Sequence, residues 1–396
     1  MEDHEPRTVG VFCVHQRRAT SVAPVFGVKG RSELANILTL PTCLAFDVMH
    51  LCYHGVARSF LCAALKMKKV DAISLSDLIE KFKVPHDFKR KPRNLTTELK
   101  LWKSQEHQHF LLYFGPIAFF ILVSLEKSCP DLFITYYYLS VAVFVLSSEK
   151  VLKSDLPLCK RIIVQFQRMI SNLFGRSVCT MSTHALFHLP EQVEKMGPLT
   201  STSATTFENL LRVLKQSVTG SKGQPHQMLS RFYLKQSCDV KATSFIVKPL
   251  GRLHLLDDRL RNVCSDFNLS VTSFVERFSS NGKVFHAYSH GRRLKSASYF
   301  AYLEAVQTFV KIKFVFVSGD DLYCVCREFC KVSKLHCDLP LPTDDSDFMN
   351  LLSPYFLLTK GDLVCHPGIS FTHHAIIFKH DVKVFDVRVL KNWEHE

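Results

Sequence analysis

Two runs, FLLYFGPIAFFILVSL (residues 110 to 125) and LFITYYYLSVAVFVL (132 to 146), are apolar on every side, so no amphipathic surface arrangement can accommodate them. Each falls short of the roughly 20 residues that a membrane span needs, and Glu126, Lys127 and Asp131 lie between them. They are therefore expected as buried helices of a large core, with a two-helix membrane hairpin as the alternative. A chain of 396 residues with 47% hydrophobic content has room for such a core, in two domains or in one large one with an appendage.

The pattern along the chain changes character once. Residues 1 to 32 hold no sustained period and several breakers, including Pro24, Gly27 and Gly30, and read as an irregular tail. Residues 33 to 240 are mostly helical. In SLSDLIEKF, Ser74 or Ser76 is the expected cap, with Asp77 and Glu80 near the positive end of the dipole. Residues 241 to 280 are mixed and read as a linker. From 281 to 396 the segments KVFHAYSHG, FVKIKFVFVSGDD, LYCVCREF and AIIFKHDVKVFDVRVL are short, rich in Val, Phe and Tyr, and punctuated by turns, with Asp344, Asp345 and Asp347 marking a loop. The expectation is an α+β chain: a helical domain followed by a small β-barrel or sandwich of SH3-like size. No internal repeat is visible.

The formal net charge of +14 produces a field that favours polyanions, nucleic acid or anionic membrane alike. It is concentrated in KFKVPHDFKRKPRNL, where Lys81, Lys83, Lys89, Arg90, Lys91 and Arg93 crowd around two prolines that forbid a continuous helix. Six cations beside one acid suit phosphate contact; a solvated loop is the plain alternative. Fourteen cysteines without a dense framework, behind a polar, acidic amino terminus that does not resemble a signal peptide, point to reduced thiols and a nuclear or cytoplasmic setting.

Three polar clusters interrupt the helical part. In FDVMHLCYHGVARSFL, Asp47, His50 and His54 fall three and four residues apart, on one helical face. In THALFHLPEQV, His184 and His188 have a metal-ligand spacing but lack the glutamate of HExxH, so a packed pair with satisfied nitrogens is expected instead. In SATTFENLLRVLKQ, Glu208 follows a Ser/Thr-rich stretch able to cap a helix, with Arg212 and Lys215 along the same side. It is either a first-turn glutamate interacting with the dipole or a metal-binding carboxylate beside phosphate-binding cations. At the far end, Cys324, Cys326, Cys330, His336 and Cys337 lie in a short span, but the C-x-x-C knuckle of a zinc site is missing and buried or half-buried thiols are expected.

Taken together, GVKGRSEL, LPTCLAFDVMHLCYHGVARSFL, VPHDFKRKPRNL, LKLWKSQEHQHFLLYFGPI, THALFHLPEQVEKMGPL and STSATTFENLLRVLKQSVTG resemble, in order and spacing, the carboxyl-terminal half of a CACTA (En/Spm-type) transposase over residues 27 to 236. The tail beyond 280 resembles the small β-rich segment that follows this region in such reading frames. The resemblance implies an RNase H-like core with an acidic triad holding two divalent ions such as Mg²⁺, which activate water or a 3′ hydroxyl and stabilise the leaving oxygen. Asp47 and His50 match the D-x-x-H signature between the second and third acids. Glu208 matches the candidate third acid, on a helix that follows a long helical insertion. Asp47 is also a candidate N-cap, and His54 stands outside the signature.

The two earlier aspartates of that family are expected upstream of residue 27, where Glu2, Asp3 and Glu5 are poor substitutes, and the family's cysteine pair is reduced to Cys13 with His15. One carboxylate helix cannot hold two metals, so the isolated chain is expected to be inactive, to need no cofactor, and to bind DNA weakly without engaging membrane. A fragment of an active metal-dependent transposase and a protein-interaction scaffold are the competing readings.

Overall fold

The computed structural model describes residues 8–25, 28–86, 88, 90–238, 247–271, 273–290, 296–335, 349, 352–380 and 383–390. Lys89, Cys337, His336, the aspartates at 344, 345 and 347, and the acids Glu2, Asp3 and Glu5 lie outside them. Helices come first and strands follow, in an α+β arrangement.

The two apolar runs are buried helices. Pro130 opens the second, where its missing N–H costs nothing and its φ is already helical, and every residue from Leu132 to Leu146 is buried. The first is preceded by Ser104–His109, begins with a π-helical turn, Phe110–Phe114, and continues as Gly115–Ser124. The stretch Ser104–Ser124 is long and apolar enough to cross a membrane by composition, but 89% of its apolar window is covered by protein. Around this pair wraps Asp155–Phe174, whose buried Leu156, Cys159, Ile163, Phe166, Ile170 and Phe174 recur at helical spacing. Burial of each large side chain contributes about 1.5–3 kcal/mol. Gly175 ends this helix at φ +81°, a left-handed conformation that suits glycine.

Local capping corrects two expectations. The supposed tail contains a helix, Val9–Arg18, started by the Thr8 hydroxyl accepting from the Val11 amide at 3.3 Å and ended by Arg17 and Arg18 near its negative pole. Helix Ala72–Lys81 is capped by Asp71, not by Ser74 or Ser76. It therefore begins earlier than expected and places Asp77 and Glu80 away from its first turn; Ser76 is buried and accepts from the Leu95 amide at 3.0 Å.

The stretch expected as a linker is structured wherever it is described. It holds β1 (Lys248–Leu250), β2 (His254–Leu255), the helix Asp258–Asp266, β3 (Ser273–Val275) and β4 (Arg277–Ser280). There follow β5 (Lys283–His286), β6 (Phe300–Leu303), β7 (Thr308–Ser318), β8 (Asp321–Lys334), β9 (Phe356–Pro367), β10 (His373–His380) and β11 (Lys383–Arg388). Strands β1, β4 and β5 form a small sheet. The others form a closed antiparallel ring in the order β6, β7, β8, β9, β11, β10 and back to β6, with β3 and β2 attached at β7. Closure removes the open edges that invite further pairing, and register shifts at Ile312/Phe314, Arg327/Phe329 and Lys331/Ser333 supply the bends it needs. All six strands contribute to the barrel interior, through Tyr302, Phe309, Phe329, Leu358, Ile377 and Val384.

The barrel is not a separate appendage. Its outward residues Ile376, Phe378, Phe385 and Val387 belong to the same core as the helices. Phe378 stacks on Phe82 at 4.1 Å and Phe385 meets Phe120 edge-on at 5.7 Å. The Tyr355 hydroxyl donates to the Leu112 carbonyl at 2.8 Å, and Tyr137 bonds Ser353. A boundary near residue 280 is thus a change of secondary structure within a shared core. Cys324 and Cys326 are fully buried on β8 and Cys330 is exposed.

Candidate functional site

Asp47 stands just before the first helical turn, and its carboxylate accepts the amides of Met49 at 3.3 Å and His50 at 3.0 Å, as an N-cap does. The same carboxylate also accepts the Ala204 amide at 2.8 Å, at the head of helix Thr205–Ser217. One side chain thus closes the positive ends of two helices that are far apart in sequence. His50 Nδ1 is hydrogen-bonded to Asp47, and His50 Nε2 lies 3.5 Å from Glu208 Oε1 in the first turn of the second helix. The structure therefore brings together the three residues singled out by the resemblance. An imidazole whose Nδ1–H is given to a carboxylate presents Nε2 to accept a proton, or to bridge both carboxylates once it carries one.

The helix that carries His50 is π-helical over Met49–Ala57, and a wider turn of this kind recurs at functional positions. It fits because Gly55 lacks a side chain: a Cβ there would lie 2.9 Å from the His50 carbonyl. His54, outside the signature by sequence, is part of the row in space. Its ring lies 6.4 Å from His50 and 5.8 Å from His107, which in turn meets Trp102 at 5.2 Å. Burial, then the Arg58 guanidinium and the His50 ring, holds the His54 pKa below its ordinary value. Burial, followed by His54 and Arg58, brings His107 down to about 4, so its ring is neutral near pH 7. His184 and His188 lie edge to face at 5.4 Å, and His188 stacks on Phe46 at 6.0 Å. Phe46 is held on both backbone sides by the Gln192 amide, at 2.7 and 3.0 Å.

Asp47→Ala removes a cap shared by two helices and should lower stability by about 2 kcal/mol, whereas Asp47→Asn, which can still accept, should lower it by much less. Urea unfolding of the two variants checks this; equal losses would show that the shared cap is not what Asp47 contributes.

Asp47 is poorly placed as a metal ligand. Its oxygens already accept from three amides and His50, which occupies about as many lone-pair sites as a carboxylate has. Glu208 is more open, with its side chain 56% exposed. Among the described residues no three His, Cys, Asp or Glu side chains stand where one ion could be held, which applies equally to Cys324, Cys326 and Cys330.

The basic loop divides into two groups. Lys81, Lys83 and Arg90 face solvent, as do Arg212 and Lys215 on the Glu208 helix. Arg93, expected as a phosphate contact, is committed internally: it donates to Glu106 at 2.7 and 2.9 Å, to Glu98 at 3.2 Å and to the Leu101 carbonyl. Lys91 donates to the Glu80 carbonyl at 2.6 Å, and burial lowers its pKa. The loop crosses the seam between helices and strands, where the Val84 carbonyl accepts from Ala297 at 2.8 Å and the His86 amide donates to Ser298 at 2.9 Å.

Sequence reasoning missed Glu106, His107, Gln108 and His109, consecutive polar positions that are all buried in Ser104–His109. Their signal is the polar cluster in SQEHQHF directly ahead of an apolar run, since polar groups carried into a core must find partners there. His109 gives its Nδ1 to the Arg90 carbonyl at 2.7 Å while His107 meets His54, so this short helix joins the basic loop to the histidine row. Searches of family models, curated proteins and solved structures find no match to this chain.

Proposed function

We propose that this chain is a transposase-derived DNA-binding protein of CACTA (En/Spm) ancestry that acts in the nucleus, with Asp47, His50 and Glu208 as the retained part of an RNase H-like centre. The observation that carries this reading is the junction itself. His50 is hydrogen-bonded to Asp47, three residues before it, and its Nε2 lies 3.5 Å from Glu208, which is distant in sequence; all three were chosen for their place in a family pattern. The solvent-facing Lys81, Lys83, Arg90, Arg212 and Lys215 supply phosphate contacts. In this reading Asp47 serves as a helix cap and Glu208 alone cannot hold two ions, so the chain binds without cutting.

DNA affinity measured against salt tests it. If about four of these five cations neutralise phosphates, affinity should fall on the order of a hundredfold between 50 and 200 mM salt, and Lys81→Gln with Lys83→Gln should make that dependence shallower. A flat dependence would favour a protein-interaction scaffold.

One observation favours a second reading, a fragment of an active metal-dependent transposase. Beside the open Glu208 carboxylate, helix Thr205–Ser217 exposes Phe207, Leu210 and Leu211, an apolar surface on which further strands could bring more acids. Nicking of terminal-repeat DNA with Mg²⁺ or Mn²⁺ that Glu208→Gln abolishes would establish that reading over the non-cutting one.

A further inference from the structure

Strands β7, β8 and β9 are longer than the three that complete the ring, and one face of them changes chemistry along its length. At one end that face is the barrel interior, with Phe309, Phe329 and Leu358. At the other it carries Phe314, Val325 and Cys365, which pack with Leu260 and Cys264 of helix Asp258–Asp266. Between these two apolar clusters stands a row of cations: Lys311 and Lys313 on β7, Arg327 on β8 and Lys360 on β9. Side chains alternate along a strand, so Phe309 and Lys311, Phe329 and Arg327, and Leu358 and Lys360 each share a side.

The register draws the row together. Lys311 lies opposite Arg327 and Lys360 opposite Phe329, while the Arg327 guanidinium donates to the Gly361 carbonyl at 3.0 Å, beside Lys360. Lys313 falls at the shift between Ile312 and Phe314 and stays with Lys311: their ammonium groups stand 5.3 and 3.3 Å from the Tyr288 ring centre. No carboxylate pairs with Lys313, Arg327 or Lys360 among the described residues; Glu328 turns instead to His366, at 3.1 Å. The neighbouring Asp362 is exposed and pairs with none of them. Burial, then Arg327 and Lys360, lowers the Lys313 pKa, and the last two are a repulsion that an anion laid across the row would relieve.

Aromatic rings adjoin the cations. Tyr288 is 37% exposed, and its amide donates to the Ile312 carbonyl at 3.0 Å, which fixes it beside β7. Phe300 on β6 lies opposite Lys311. With neighbouring strands roughly 4.8 Å apart, the row spans about 10 Å across three of them, room for a short length of phosphate backbone. A duplex offers phosphates but keeps its bases stacked inside, whereas a single strand offers phosphates and base faces together.

We infer that this cationic band is a binding surface for single-stranded nucleic acid laid across the strands, with phosphates against Lys313, Arg327 and Lys360 and a base against Tyr288. The surface requires neither the proposed ancestry nor the contacts of Lys81 and Lys83.

Fluorescence anisotropy of the full chain with a labelled ten-nucleotide oligothymidylate in about 100 mM salt tests the surface, a length within the roughly 4–16 nucleotides that one small barrel covers. Saturable binding is expected, at least about tenfold tighter than that of a ten-base-pair duplex or of polyglutamate of ten residues. Lys313→Gln with Lys360→Gln should weaken it about tenfold or more and make the slope of log affinity against log salt shallower by about 1.4, two single-strand phosphate contacts. Tyr288→Ala should weaken it about fivefold or more, while Tyr288→Phe retains it. Lys81→Gln with Lys83→Gln should leave single-strand affinity within about twofold, which separates this surface from the basic loop. If the band pair fails to fold, Lys360→Glu alone, at an exposed position, should still weaken binding about fivefold. Duplex or polyglutamate bound as tightly as the single strand, unchanged affinity in the band variants, or equal weakening by the Lys81 and Lys83 changes would overturn the inference.

Discussion

Gly115→Ala is expected to destabilise the protein by about 3 kcal/mol, the upper end of what overpacking a dense core costs. A Cβ at this position would lie 2.5 Å from Tyr136 Cε1 and 2.7 Å from the Phe110 carbonyl oxygen, and neither neighbour can yield. Tyr136 is fully buried between Phe60 at 5.1 Å, Phe110 at 5.7 Å and Phe119 at 4.8 Å. The Phe110 carbonyl is fixed because it accepts the Gly115 amide across the π-helical turn. Alanine normally favours a helix by about 1 kcal/mol over glycine, so a net loss requires the clash to outweigh that gain. Gly10→Ala is the internal control: Gly10 lies in helix Val9–Arg18 with nothing within 4 Å of its Cβ position, and the change should be neutral or stabilising. Urea unfolding midpoints for the two variants should move in opposite directions or by very different amounts. A Gly115→Ala protein as stable as the parent would mean that the π-helical turn and Tyr136 do not pack as described.

Glu106→Ala should cost roughly 2–3 kcal/mol, because it removes a buried carboxylate that accepts three charge-assisted or backbone bonds. Those bonds come from Arg93 at 2.7 and 2.9 Å and from the Lys103 amide at 2.8 Å, and the Glu106 side chain is only 1% exposed. Burial by itself raises the Glu106 pKa, but the Arg93 and Lys103 donors more than offset it, and the carboxyl ends below its ordinary value of 4.5. The sign follows directly. A carboxyl with a depressed folded-state pKa contributes stability that is present above 4.5 and lost as pH falls through the lower folded value. Stability followed from pH 6 down to pH 3 should therefore show parent and Glu106→Gln differing most at the upper end and converging at the lower. A constant difference across that range would show that Glu106 is not held ionised by Arg93.

The same arginine shows where sequence ceases to be informative. In KFKVPHDFKRKPRNL every cation looks alike, and only the fold turns Arg93 inward to Glu106, across a proline-containing bend, while Lys81, Lys83 and Arg90 stay outside. The apolar runs were legible because a segment without a polar face has few places to go, and Leu132 to Leu146 are indeed all buried. Residues 247–280 misled because their strands, such as His254–Leu255, are too short for an alternation to register. Barrel closure was equally hidden, since it depends on β10 reaching back to β6 over a long separation. At the site, Asp47, His50 and Glu208 were indicated by family resemblance. The bond from Asp47 to Ala204, and the placing of His54 against His107, arise from tertiary contacts and a π-helical turn that local spacing does not encode.

Because Phe82 stacks on Phe378 and Phe120 meets Phe385, the chain's first half cannot complete its interior until the last strand has left the ribosome. During synthesis, helices with some of the most water-averse faces in the protein must wait for partners made hundreds of residues later, an arrangement that slows maturation and invites misassembly. A nascent chain of this kind has reason to engage chaperones early, and its yield in a cell is set by how long that surface stays uncovered.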